Sequence, residues 1–360
     1  SYTIPGTGQS GCYDDSGRSV DCGSSRWPSQ DAATAVNPPA YRDNGDGTVS
    51  DLVTGLMWTR DPGAKKSWAA AVAAAPNVRT GGYADWRLPT VTELYSLIDF
   101  DGVTGTSAAS STPYIDTGVF AFSYGNTAAG ERFIDAQYWS ATGYVSTTMN
   151  GEATAFGVNF ADGRIKGYPR NRMNGFALYV RGATGYGSHR YADNGDGTVT
   201  DAATGRIWQK NDDGTGRNWR EALTYCADLT LGGSGDWRLP NAKESQGIVD
   251  YTRSPGATGS PAADPVFGFT RIVNGRGETD YGYYWTSTTH RDGPAKGDVA
   301  VYVAFGRAMG YMPPGYTLMD VHGAGAQRSD PKSGDPADYP RGRGPQGDVI
   351  GIYNFVRCVR

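Results

Sequence analysis

Tyr41-Arg-Asp-Asn-Gly-Asp-Gly-Thr-Val-Ser-Asp51 is written a second time, with two changes, as Tyr191-Ala-Asp-Asn-Gly-Asp-Gly-Thr-Val-Thr-Asp201. The echo continues in order. Trp58 matches Trp208, Trp68 matches Trp219, Asp85-Trp-Arg-Leu-Pro89 matches Asp236-Trp-Arg-Leu-Pro240, Tyr138-Trp139 matches Tyr284-Trp285, and Tyr179-Val-Arg181 matches Phe355-Val-Arg357. A repeat of roughly 150 residues is a domain length, far above the period of a solenoid. The spacing therefore predicts two tandem domains, 41–181 and 190–360, joined by a linker at 182–189, each enclosing its own core. Residues 1–40, rich in Gly, Ser, Pro and Asp, read as an extended arm that belongs to neither copy.

Composition narrows the class. Glycine is the commonest residue, at 52, and 23 Tyr and 9 Trp supply the rings; such chains build loop-dominated extracellular modules in which rings provide burial and glycines provide turns. A net charge of -4 gives no electrostatic footprint for nucleic acid. The longest apolar run, Trp68 to Ala75, is too short to span a bilayer, which argues against membrane insertion. Ser1 at the start fits a terminus from which an export signal has been removed.

Four cysteines support export. Cys12 and Cys22 bracket a short polar turn without the spacing of a zinc site and read as a small disulfide loop. Cys226 falls seven residues after Trp219 on the same helix face, and Cys358 lies in the last strand. In the first copy their counterparts are Ala75 and Gly182, and joint loss is what a bonded pair predicts. The other reading is two buried free thiols. A crosslink closing so long a loop contributes ~4–5 kcal/mol under the chain-entropy account.

Local signals repeat in both copies. Asn44-Gly45 and Asp46-Gly47 mark reversals ahead of Thr48-Val49, opening a β-meander. Ser67 and Asn218 cap helices starting at Trp68 and Trp219, and Thr90/Glu93 and Asn241/Glu244 write capping boxes for a second helix after each Trp-Arg-Leu-Pro. Phe156, Val158 and Phe160 alternate as strand residues, as do Val301, Val303 and Phe305. Copy one carries an insertion around Gly102 to Glu131 and copy two a longer one around Tyr311 to Asp348.

With these motifs in place, both copies resemble the C-terminal domain family of the Legionella collagen-like adhesin, whose members carry Asp-Asn-Gly-Asp-Gly-Thr-Val-Thr-Asp, Gly-Leu-Met-Trp, Trp-Arg-Leu-Pro, Tyr-Trp-Ser-Ser and a closing Val-Arg-Cys-Val-Arg. The resemblance covers residues 41–181 and 190–360, and copy one departs from it in lacking the last-strand Cys. It implies an α+β chain of two tandem C-type-lectin-like domains, each with two short helices, small antiparallel sheets and long loops. It further implies bacterial secreted or surface proteins, some of them adhesins for sulfated polysaccharides. Fold alone does not settle function.

Chemistry points away from catalysis. His189, His290 and His322 are scattered, with no metal spacing or triad pattern, and no phosphate-binding glycine loop is present. Asp43, Asn44, Asp46, Thr48 and Asp51, with Asp193, Asn194, Asp196, Thr198 and Asp201, offer oxygen ligands for Ca2+, although no bidentate Glu closes either loop; the competing reading is consecutive turns whose carboxylates cap backbone amides. The tryptophans of Trp-Arg-Leu-Pro read as core, with Arg87 and Arg238 tying loops. Recognition belongs where the copies differ. In copy two, Tyr311, Tyr316, His322, Arg328, Lys332, Tyr339, Arg341 and Arg343 intersperse rings and cations among glycines, a composition suited to sugars and their anionic groups. Two functions follow: a non-enzymatic secreted or surface adhesin binding an extracellular glycan or protein ligand through variable loops, or a filament subunit that self-assembles through residues 1–40.

Overall fold

The computed structural model describes residues 1–360, a mixed α/β fold with few helices and several small antiparallel sheets. Copy one runs β1 (Tyr41–Asp43), β2 (Thr48–Asp51), β3 (Met57–Thr59), α1 (Trp68–Ala74), α2 (Val91–Tyr95), β4 (Gln137–Gly143), β5 (Thr154–Asn159), β6 (Arg164–Pro169) and β7 (Val180–Arg181). Copy two runs β8 (Tyr191–Asp193), β9 (Thr198–Asp201), β10 (Arg206–Gln209), α3 (Trp219–Asp228), α4 (Ala242–Gly247), β11 (Arg271–Val273), β12 (Thr279–Tyr281), β13 (Tyr283–His290), β14 (Val299–Ala304), β15 (Met309–Met312), β16 (Thr317–Asp320) and β17 (Gln327–Pro331).

The opening meanders superpose in register: Tyr41 pairs Asp51 as Tyr191 pairs Asp201, and Val49 pairs Trp58 as Val199 pairs Trp208. The capping boxes at Thr90/Glu93 and Asn241/Glu244 form, and Asn218 caps its helix in a box with Glu221. Each second helix is held by the preceding motif. Arg87 donates both terminal nitrogens to Glu93 at 2.6 and 2.7 Å, and Arg238 reaches Glu244 twice at 2.8 Å. Trp86 and Trp237 are buried, their indole N–H groups donating to the carbonyls of Thr80 and Leu231.

The copies are fused by one sheet. Its strand order is β13-β14-β17-β6-β5-β4, antiparallel throughout, with three strands from each copy meeting where Gln327 pairs Ile165. Alternation sorts side chains between two faces. Phe156, Val158, Val301 and Val303 face one apolar cluster that spans both copies and includes Trp58, Leu94, Trp208 and Ile248. On the other face, Ala155 joins a cluster of copy one around Trp86 and Trp139, and Ala300, Tyr302 and Ala304 join one of copy two around Trp219 and Trp285. The expectation of a separate core in each copy is therefore corrected. Alternating strand residues identify an apolar face but leave open which chain segment covers it.

The arm is likewise not free. The Gln9 side chain donates to the carbonyls of Phe100 and Thr289 and accepts from the Thr289 amide, spanning both copies. The buried Asp31 carboxylate accepts from Thr7 and Thr288 at 2.6 Å each; burial lifts its pKa to about 6. Trp27 packs near Trp219 with ring centroids 6.2 Å apart. Lys243 of α4, buried, donates to Gly6 O and Ser96 O, and so ties arm, copy one and copy two at one point; burial lowers its pKa to about 8. The surface this arm lies on is its own chain. Cys12–Cys22 and Cys226–Cys358 are disulfides, the second joining α3 to the final segment.

Candidate functional site

A cleft of about 360 Å3 opens in copy two between the β11–β12 hairpin, the β15–β16 hairpin and the terminal segment 349–355. Its walls are rings: Tyr281, Tyr283, Tyr311, Tyr353 and Phe355. Tyr283 is set by stacking on Tyr302 at 3.9 Å, nearly parallel, whereas Tyr353 at the mouth is 50 % exposed. Phe355 sits where Gly282 leaves room, since a Cβ there would lie 2.6 Å from the ring.

Polar groups stand among the rings. Asp280, buried, accepts from the amides of Tyr281 and Arg307 and from Asn274 Nδ2, and burial raises its pKa. Arg307 donates to Thr279 O and lies 3.6 Å from Glu278 and 3.8 Å from Asp280, so its charge is balanced. The cleft thus combines flat apolar faces with amide and guanidinium donors and little net charge. That combination suits a ligand with alternating C–H and hydroxyl faces.

The terminal wall is built from beneath. Asp330 of β17 takes three hydrogen bonds on one oxygen, from Gly351 N, Ile352 N and Asn354 Nδ2, at 2.9, 3.0 and 2.9 Å. Burial raises its pKa to about 6. The turn it grips is strained, because Ile352, a β-branched residue, has φ 57°; a left-handed conformation there costs about 1–3 kcal/mol. This backbone strain is held where Tyr353 is presented.

The residues singled out in copy two separate into two groups. Tyr311 lines the cleft, and Tyr316 is exposed on the adjoining turn with the Arg341 guanidinium 4.4 Å over its ring. Tyr339, Arg341 and Arg343 remain at least partly accessible. His322, Arg328 and Lys332 are corrections: all three are buried, because the insertion supplies strand β17 to the central sheet. His322 Nε2 and Arg328 Nε share Asp348 at 2.6 and 2.8 Å. Lys332 donates to Asp14 O and Thr289 Oγ1 and lies 4.0 Å over the Trp219 ring, fastening the arm. Asp280, Asp330, Asn274 and Tyr353 are functional candidates that sequence reasoning missed; Tyr353 stands just ahead of the closing segment, where Asn354 bridges Arg217 as Gly175 pairs Lys66 in copy one.

In the Asp-Asn-Gly-Asp-Gly loops the hydrogen bonds follow the consecutive-turn reading. Asp43 accepts from Gly45 N, Asp46 from Thr48 N and Oγ1, and Asp51 from Val53 N and Thr54 N, while Asn44 donates to Thr48 and Ser50. Asp193, Asn194, Asp196, Thr198 and Asp201 repeat this pattern, with Asp201 taken by Arg190 N and Ala203 N. The carboxylates cap turn amides, and Asp193 and Asp201 are further held by Lys210 and His189; no three His, Cys, Asp or Glu side chains converge.

A family model described as the Lcl C-terminal domain matches residues 47–181 and 197–318. Strand β17, the Asp330 anchor and the terminal wall of the cleft lie beyond the second match. No curated protein and no solved structure matches the chain.

Proposed function

The chain belongs to the Lcl C-terminal domain family, and on that premise we propose a non-enzymatic adhesion protein, secreted or displayed on a bacterial surface, that holds a glycan in the aromatic cleft of copy two. The cleft carries the reading: five rings, one of them half exposed, surround hydrogen-bonding groups whose charges are already balanced. Sugars stack their C–H faces on such rings and direct hydroxyls to amides and guanidinium groups. Two disulfides agree with an oxidising compartment. Within each copy the closing strand returns beside the meander, Val180 against Trp58 and Val359 against Trp208, which supports a C-type-lectin-like reading of the modules.

Histidine placement supports the non-enzymatic part. His290 Nε2 is bonded to Asp162 O, and burial holds His290 and His322 near a pKa of about 3, so both are neutral fixtures of the interior. The observation that motivated self-assembly through residues 1–40 no longer favours it, since the arm is seated on its own chain.

A glycan array probed at low salt with wild-type protein and Tyr353→Ala tests the proposal. The wild type is expected to bind at least one glycan class, and the variant to bind it at least about tenfold more weakly with an unchanged melting temperature. An empty array, or equal binding by both proteins, sinks the reading.

A further inference from the structure

The seam between the copies encloses a second cavity, of about 270 Å3, with walls from both. Asp162 and Arg164 come from the turn into β6, Asp292 follows β13, Arg328 stands on β17, and Arg343 and Asp348 belong to the loop ahead of the closing segment. None of these positions lies in the aromatic cleft.

Two of the carboxylates are fully engaged. Asp292 accepts from Arg164 Nη2 at 2.5 Å and Gly293 N at 2.6 Å, and Asp348 accepts from His322 and Arg328 Nε. The remainder is only partly matched. Arg328, only 6 % exposed, makes its side-chain hydrogen bond through Nε alone, leaving Nη1 and Nη2 without a protein partner. The Arg343 guanidinium has neither an ion pair nor a side-chain hydrogen bond; it lies over Gly293, where a Cβ would be 2.8 Å from Nη2. In the same lining, Asp162 pairs with Arg164 through Oδ2 at 3.7 Å, while its Oδ1 is buried without a hydrogen-bond partner, in a residue 9 % exposed. Buried groups of this kind are costly to leave unmatched. Two arginine forks and one carboxylate acceptor ask for a ligand that carries a negative planar group and a hydroxyl.

We propose that the seam cavity binds a hydroxylated carboxylate, its carboxylate clasped by Arg328 and Arg343 and one hydroxyl donating to Asp162 Oδ1. Guanidinium groups recognise carboxylates through paired N–H donors, and the hydroxyl supplies the donor that Asp162 lacks. A free hydroxy acid and a uronate residue within a polysaccharide both offer this chemistry.

Isothermal titration of the full chain with D-galacturonate, D-galactose, acetate and tri-galacturonate separates the terms. Galacturonate is expected to bind, with galactose, which lacks the carboxylate, and acetate, which lacks the hydroxyls, each at least about tenfold weaker. Stronger binding of the trimer than of the monomer assigns the ligand to a polymer, and equal binding per site assigns it to a free acid. Arg343→Gln, at a partly exposed position without a protein partner for its guanidinium, is expected to weaken galacturonate at least about tenfold without moving the melting temperature. Asp162→Ala is expected to narrow the gap between galacturonate and acetate, and Tyr353→Ala to leave both unchanged. Absence of galacturonate binding, equal binding of galactose, or an Arg343→Gln variant of wild-type affinity overturns the proposal.

Discussion

The two copies begin alike and finish differently. The meander, the two helices and the Arg–Glu clasp recur in both; the loops between the second helix and the central sheet already differ, and after the turn that follows Phe160 or Phe305 the strand paths part as well. In copy one the next strand, β6, stays beside β5 in the central sheet. In copy two the corresponding strand, β15, leaves to pair with β16, and β17 from the insertion takes the vacated place beside β14. The displaced hairpin becomes one wall of the aromatic cleft, and β17 supplies the Asp330 anchor of another. The shared framework of copy two carries a ligand-sized cleft where one strand is exchanged and the β11–β12 hairpin is added.

The largest test of that contrast is the staple present only in copy two. Replacing Cys226 and Cys358 by Ser is expected to cost about 2–5 kcal/mol in urea unfolding. Because the disulfide ties α3 to the segment carrying Phe355, glycan binding should fall before global unfolding does. A pair of variants that unfolds like wild type would mean that the bridge adds nothing to the framework shared by both copies.

Next comes the clasp, which looks identical but is not. Glu244 is served by Arg206 at 2.8 Å as well as by Arg238, whereas Glu93 has Arg87 alone. Both glutamates are 1 % exposed on their side chains. Arg87→Gln strands a buried carboxylate and, discounted for the partial exposure of Arg87, is expected to cost about 2–3 kcal/mol, against about 1 kcal/mol for Arg238→Gln. Equal losses in chemical denaturation would remove this asymmetry.

The smallest effect concerns the contact between copies where Tyr144 donates to Asp320 at 2.7 Å. Burial raises the Asp320 pKa to about 7, so between roughly pH 4 and 7 the folded chain keeps a proton that the unfolded chain has released. This group's contribution to stability therefore falls as pH rises through that window. Asp320→Asn, a permanent mimic of the protonated acid, should gain on wild type in melting temperature from pH 4 to pH 7. A constant difference would show that Asp320 titrates normally.

Much of the framework was legible in the residues. Thr90/Glu93 and Asn241/Glu244 cap helices as their spacing predicts, because a cap is a local hydrogen-bond exchange. Cys226 and Cys358 are bonded, as their joint absence from copy one suggests, but the register is corrected: Cys358 O accepts from Gln209 N as Tyr179 O does from Thr59 N, so the copy-one counterpart of Cys358 is Tyr179 and not Gly182. The shared interior was not legible: Val301 and Val303 declare an apolar face, and nothing local says that copy one helps to cover it. Gln327-Arg-Ser-Asp-Pro331 hid for the opposite reason. It is a fully buried strand with no large apolar side chain, stable because its polar groups find partners, among them Tyr95 for Gln327 and Asp348 for Arg328. A hydropathy pattern is silent on such a strand. The aromatic cleft was glimpsed only through Tyr311, since its other walls come from segments far apart in the chain.

One sheet with three strands from each copy also decides what can be inherited separately. Cut at the linker, either half would expose the part of the common cluster that the other half covers, such as Phe156 against Tyr251, and lose the register at Gln327 and Ile165. For recombination, truncation or display on a foreign carrier, the smallest transferable piece of this protein is the doublet.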